Sequence, residues 1–119
     1  GAFGEEAVRE LCPKLLKRLD DSSDQVRLSA CAALEDFLQC GPAKLFKGTM
    51  IDYTLDQLFI HLDDGDASVQ EAVFKVVVVA AEVDKALVEK KVALNRSNHR
   101  TPVMCDKVEA ALQGYEIVS

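Results

Sequence analysis

The sequence predicts an all-α protein that folds as a short right-handed α-solenoid of antiparallel helix pairs, with about six helices and no sheet. Three observations lead to this prediction. Apolar residues recur with the 3.6-residue period of an amphipathic helix along most of the chain. A stretch of the first helix pair recurs 43 residues later. No segment has the clear apolar–polar alternation of a half-buried strand.

The first helix pair is predicted from two apolar stripes. Between Val8 and Leu19 the apolar residues follow the i, i+3, i+4 spacing that places them on one helix face. The polar residues 20–24 end this helix, and a second stripe runs from Val26 to Leu38. Gly41 and the proline after it are a strong helix stop.

The second pair comprises a stripe at 55–62, a polar break at 63–66 and a run at 69–83. Residues 76–79 are four consecutive valines, which favour a strand by intrinsic propensity. No turn residues flank them, and a run of about 15 residues is typical of a helix. We therefore predict a helix that is buried on most sides.

A third pair is predicted after residue 83. It begins with a helix from Asp84 to about Asn95, whose residues 89–91 form a polar face. Residues 96–100 are a polar loop. Thr101 and the following proline are a helix-start signal for a last helix, which Gly114 would stop.

The repeat is the most informative feature of the sequence. Residues 15–21 match 58–64, and the register continues without a gap for about 20 positions. Two helices in a period of about 40–47 residues are typical of stacked helical repeats. The alternative is an ordinary six-helix bundle in which the two matching segments are similar by chance.

We predict one domain, 1–119, with repeats at about 5–41 and 48–83 and a diverged cap at about 84–114. The predicted structural residues are Pro13, Leu15, Leu19, Val26, Arg27, Leu34, Leu58, Leu62, Val69, Val73 and Val77.

Composition excludes several classes of function. The net charge of −6 argues against non-specific nucleic-acid binding, which depends on cation–phosphate attraction. The longest apolar run, 76–81, is too short to span a bilayer, and no signal peptide precedes it. We therefore expect a cytoplasmic protein without a membrane partner. The four cysteines have no zinc-ligand spacing and are predicted to be reduced, mostly buried thiols: Cys12, Cys31, Cys40 and Cys105.

No catalytic motif is visible, and we predict that the chain is not an enzyme. It contains no nucleophile elbow, phosphate loop or zinc-protease signature, so no cofactor or small-molecule substrate is expected. His61 is interpreted as a surface or C-terminal helix residue that favours the helix dipole when protonated. Residues 63–66 lack the spacing of a calcium loop, so no metal site is predicted.

A candidate protein-binding site lies in the two turns within the helix pairs. Because equivalent turns stack along one edge of a solenoid, their carboxylates are predicted to form an acidic ridge of Asp20, Asp21, Asp24, Asp63, Asp64 and Asp66. Capping of the next helices by Asp24 and Asp66 explains part of the ridge. Attraction of a basic partner segment is the other explanation.

At these residues the chain resembles the HEAT-repeat family. Pro13, Asp21, Val26 and Arg27 match the family pattern in the first unit. The second unit departs from it, with Asp56 at the proline position and Gln70 at the arginine position. The resemblance implies an aspartate–arginine ladder between successive repeats. A neutral Gln70 should interrupt this ladder.

Residues 15–27, the pair 96–97 and Cys105 also resemble the C-terminal repeats of HEAT-repeat factors that assist assembly of axonemal dynein arms. This resemblance implies a non-enzymatic cytoplasmic scaffold whose partners are proteins, such as axonemal dynein chains and chaperones. The alternative is a transport-type or cytoskeleton-regulating HEAT adaptor that binds a basic protein segment.

Overall fold

A computed structural model describes residues 5–40, 49–97 and 103–118, with side chains at 10–39, 51–97 and 103–113. These ranges form six α-helices and no strand, as predicted: α1 Glu5–Arg18, α2 Asp24–Cys40, α3 Thr49–Leu62, α4 Ala67–Val83, α5 Lys85–Asn95 and α6 Val103–Val118. Within them, no helix is both long enough and apolar enough to cross a bilayer. The predicted stop at 41–42 and the start at 101–102 lie outside the described residues.

The helices are arranged in two layers. Consecutive helices pack as pairs, α1 on α2, α3 on α4 and α5 on α6. The even-numbered helices also stack on one another, and so do the odd-numbered ones, with α2 against α4 as the most extensive contact. This stacking of helix pairs is that of an α-solenoid. The right-handed twist and the repeat boundaries stay predictions.

Burial follows the register of the repeat. Ala30 and Val73 are equivalent positions and both are buried, and so are Leu34 and Val77. The other predicted structural residues that are buried are Leu19, Leu58, Leu62 and Val69. Leu15 and Val26 are half-buried, whereas Pro13 lies exposed inside α1. The core therefore runs continuously from one pair to the next.

The valine run is helical, as predicted. Val76 and Val77 are fully buried, and their neighbours 78 and 79 are half-buried. Burial between α2, α3 and α6 overrides the strand propensity of β-branched residues.

Aspartates set the ends of α4. Asp66 has extended backbone (φ −99°, ψ 119°), and its carboxylate accepts hydrogen bonds from the N–H groups of Ser68 and Val69. It is therefore the N-cap that the sequence predicted. Asp84 ends α4 with its N–H, which donates to Ala80, and begins α5 with its carboxylate, which accepts from Leu87 at 3.1 Å.

Three local predictions are wrong. Gly114 does not stop α6, which continues to Val118. On α5, Leu94 is exposed and Lys91 is buried, so the polar face does not include all of 89–91. On α1, Leu11 belongs to the predicted apolar stripe but is exposed, because the buried face is centred on Cys12 and Leu16.

Candidate protein-binding site

The two acidic turns adjoin in the structure, and Arg27 lies between them. Its guanidinium, on the first turns of α2, donates from Nη1 to Asp64 at 2.8 Å and from Nη2 to Asp24. Asp64 follows α3, so this arginine joins the first helix pair to the second. The pKa of Arg27 is raised, first by its hydrogen bond to Asp24 and also by the charge of Asp64.

Asp24 does not cap α2, in contrast to the prediction. It is the first residue of that helix, and its carboxylate faces Arg27. Its other neighbour is Asp66, which begins α4. The pKa of the Asp66 carboxyl is lowered, first by a hydrogen bond shared with Asp24 and then by the N–H donors of Ser68 and Val69.

The remaining ridge residues have separate environments. Asp20 is exposed, and its Oδ1 lies 3.0 Å from Nε2 of His61. Asp21 is also exposed and accepts the N–H of Ser23. The Asp63 N–H donates to the carbonyl of Ile60 at the end of α3. The structure therefore groups Asp24, Asp64 and Asp66 around Arg27 and leaves Asp20 and Asp21 facing solvent.

His61 is not a surface residue. It lies in the last turn of α3, as predicted, but it is only 8% exposed. Its Nε2 lies close to Oδ1 of Asp20 but lacks the alignment of a hydrogen bond. The histidine therefore packs across the junction between the first two helix pairs.

Sequence reasoning missed the cluster around Lys91. The lysine Nζ, on α5, lies 2.7 Å from Oδ1 of both Asp52 and Asp56 on α3. The pKa of Lys91 is raised, first by Asp52 and then by Asp56. The only signal in the sequence was Asp56 at the position of the family proline.

Three of the four predicted thiols are described, and all three are buried and outside any disulfide bond: Cys12, Cys31 and Cys105. Burial raises the pKa of each, and that of Cys31 rises to about 11 with a further contribution from Glu35. Among the described residues no group of histidine, cysteine and acidic side chains is arranged to hold a metal ion.

In the described part of the chain, two of the grooves open between neighbouring helices. One, of about 570 Å³, lies between α2 and α4 and is lined by Leu28, Ala32, Glu35 and Ala72 among others. The other, of about 270 Å³, lies between α5 and α6 beside Glu89 and Glu109. Both are open grooves between neighbouring helices. Cys31 and Glu35 both line the first groove, but the thiol is buried and its pKa is raised to about 11, so it is not an activated nucleophile.

Comparison with known proteins fits this geometry. Residues 11–41, which cover most of the first helix pair, match the HEAT repeat family. The match confirms the resemblance to HEAT repeats that Pro13, Asp21, Val26 and Arg27 predicted for these residues.

Most of the chain is also similar to proteins named dynein axonemal assembly factor 5. It is 32% identical to the one from Xenopus laevis over 113 residues, which cover 92% of this chain and 14% of the relative. It is 30% identical to the one from Homo sapiens over 111 residues, covering 91% of this chain and 13% of the relative. The chain thus spans about one seventh of these relatives. No solved structure gives a significant match.

Proposed function

We propose that this chain is part of a non-enzymatic HEAT-repeat scaffold that binds other proteins during the assembly of axonemal dynein. The observation that carries the proposal is the alignment of 92% of the chain with a protein named dynein axonemal assembly factor 5. A stack of helix pairs supports it, because such stacks present extended surfaces to protein partners. The proposal includes a cytoplasmic location and partners among dynein chains and chaperones.

The acidic ridge is proposed as one contact surface for a basic partner segment. Asp20 and Asp21 carry the proposal, since both are exposed and no arginine or lysine pairs with either in the described part of the chain. Asp24 and Asp64 are partly neutralised by Arg27, and Asp66 begins α4. The exposed pair can therefore lose its charge with little effect on the fold.

Direct binding tests the proposal. Purified axonemal dynein intermediate chain, dynein heavy chain and a cytosolic chaperone are each passed over the immobilised 119-residue chain. Binding of a dynein chain is expected. In the variant Asp20→Asn with Asp21→Asn, binding should weaken about fivefold to tenfold at low salt and less at physiological salt, because salt screens exposed charges.

The control variant is Glu10→Gln with Asp36→Asn, which removes the same charge from exposed positions on α1 and α2. It should leave binding unchanged. Equal weakening in both variants would show that net charge matters and the ridge does not. Absence of any dynein binding, together with binding to a basic peptide, would instead favour the alternative of a transport-type or cytoskeleton-regulating adaptor.

A further inference from the structure

The two junctions between helix pairs are built differently. Arg27 in the first pair contacts Asp64 in the second, with Nη1 2.8 Å from Oδ2. The residue 43 positions after Arg27 is Gln70, which carries no charge. The second pair therefore has no equivalent arginine with which to contact the third.

A buried lysine links the third pair to the second from the other layer. Lys91 on α5 lies 2.7 Å from the carboxylates of both Asp52 and Asp56 on α3. These two aspartates are one helical turn apart and so lie on the same face of α3. Lys91 is 6% exposed, whereas each aspartate side chain is 49% exposed.

Because Lys91 is buried, the stability of its charged form depends on the carboxylates of Asp52 and Asp56. A buried ammonium ion has lost most of its hydration and is tolerated only when carboxylates replace the lost water. A further charged link from the third pair to α4 joins Lys107 to Glu71, beside the ring of Phe74. Both of its charges are about half exposed, and exposed pairs contribute little.

We propose that Lys91, Asp52 and Asp56 form a conformational latch that holds the third helix pair on the second, where the ladder lacks its arginine. In stacked repeats each unit contacts mainly its neighbours, so parts of the stack can open locally. When the latch opens, α5 and α6 separate together from α3 and α4. The first two pairs, which keep the packing of α2 and α3 on α4 and the Arg27 contact, stay folded.

Hydrogen–deuterium exchange of the 119-residue chain tests the latch. The variant Asp52→Asn with Asp56→Asn leaves Lys91 buried without a counter-charge. Amides of α5 and α6 should then exchange at least about tenfold faster, while those of α2 keep their rates. Adding Lys91→Met removes the unpaired charge but leaves the latch absent, so α5 and α6 should still exchange at least about threefold faster than in the original chain.

The variant Glu10→Gln with Asp36→Asn is the control for charge, and it should leave α5 unchanged. Unaltered exchange of α5 in the double-asparagine variant would overturn the latch. So would faster exchange by the same factor in all helices, or exchange of α5 and α6 at the original rate in the variant with Lys91→Met. If the double variant does not fold, Asp56→Asn alone retains Asp52 as a partner and should give a smaller increase confined to α5 and α6.

Discussion

Arg27 and Asp64 are 37 residues apart in the chain, yet the arginine Nη1 donates to the aspartate Oδ2 at 2.8 Å. The contact joins the start of α2 to the turn after α3. The Asp64 side chain is only 13% exposed, so Arg27 stabilises its negative charge more than water does. The Asp64 carboxylate also accepts the N–H of Asp66 at 2.8 Å, which links the ion pair to the cap of α4.

Arg27→Ala should therefore lower the free energy of unfolding, because it leaves Asp64 partly buried without its counter-charge. The expected result is a lower urea midpoint, measured by circular dichroism. Arg18→Ala is the matched control, since Arg18 is an exposed arginine at the end of α1. Equal midpoints for the two variants would show that the ion pair does not stabilise the junction.

The lowered pKa of Asp66 predicts how stability depends on pH. The folded pKa lies below the ordinary value of 3.8, so the folded chain binds fewer protons than the unfolded chain near that pH. The contribution of Asp66 is fully present above the unfolded pKa and is lost as the pH falls through the folded pKa. Stability of the parent chain should therefore begin to decline below about pH 5 and continue to decline as the pH falls through the folded pKa.

Asp66→Asn separates this effect from the capping role. Asparagine is also a good N-cap, so the variant should be nearly as stable as the parent at pH 7. Urea unfolding at several pH values should show a shallower decline in acid for the variant. Parallel declines for the two chains would mean that Asp66 does not contribute to the pH dependence.

Much of the fold could be predicted from the sequence because helical periodicity and a repeat offset are local patterns. The stripe of α4 and the 43-residue register predict the core positions Val69, Val73 and Val77, and all three are buried. Gly114 was misleading for a physical reason. A glycine inside a helix costs only about 1 kcal/mol relative to alanine, so it does not by itself end a helix.

The site was only partly predictable. The resemblance to HEAT repeats implied an aspartate–arginine ladder, and its first contact is the one between Arg27 and Asp64. Nothing local in the sequence shows that Lys91 faces Asp52 and Asp56, because those residues lie 35 or more positions away on another helix. A polar residue on a predicted helix is ordinarily placed on the solvated face, and only packing reveals the exception.

Leu58→Ala tests the predicted register directly. Leu58 is fully buried on α3, so the variant should lose about 2–5 kcal/mol of unfolding free energy through the cavity that it leaves. Ile60→Ala is the control on the same helix, because Ile60 is 60% exposed. Its loss should stay within about 0.5 kcal/mol in the same urea titration. A loss of that small size at Leu58 would contradict the core assignment.

Thiol labelling tests the packing of α2 against α4. Cys31 lies beside the groove between these helices, yet it is 2% exposed and its pKa is raised to about 11. The thiolate is the reactive form, and at pH 8 a thiol with that pKa is only roughly 0.1% ionised. Alkylation by iodoacetamide, followed by mass spectrometry, should therefore be at least about 100-fold slower at Cys31 in the folded chain than in urea. Rapid labelling of Cys31 in a chain that keeps its helical signal would mean that α2 and α4 separate in solution, since neither burial nor ionisation would then protect the sulfur.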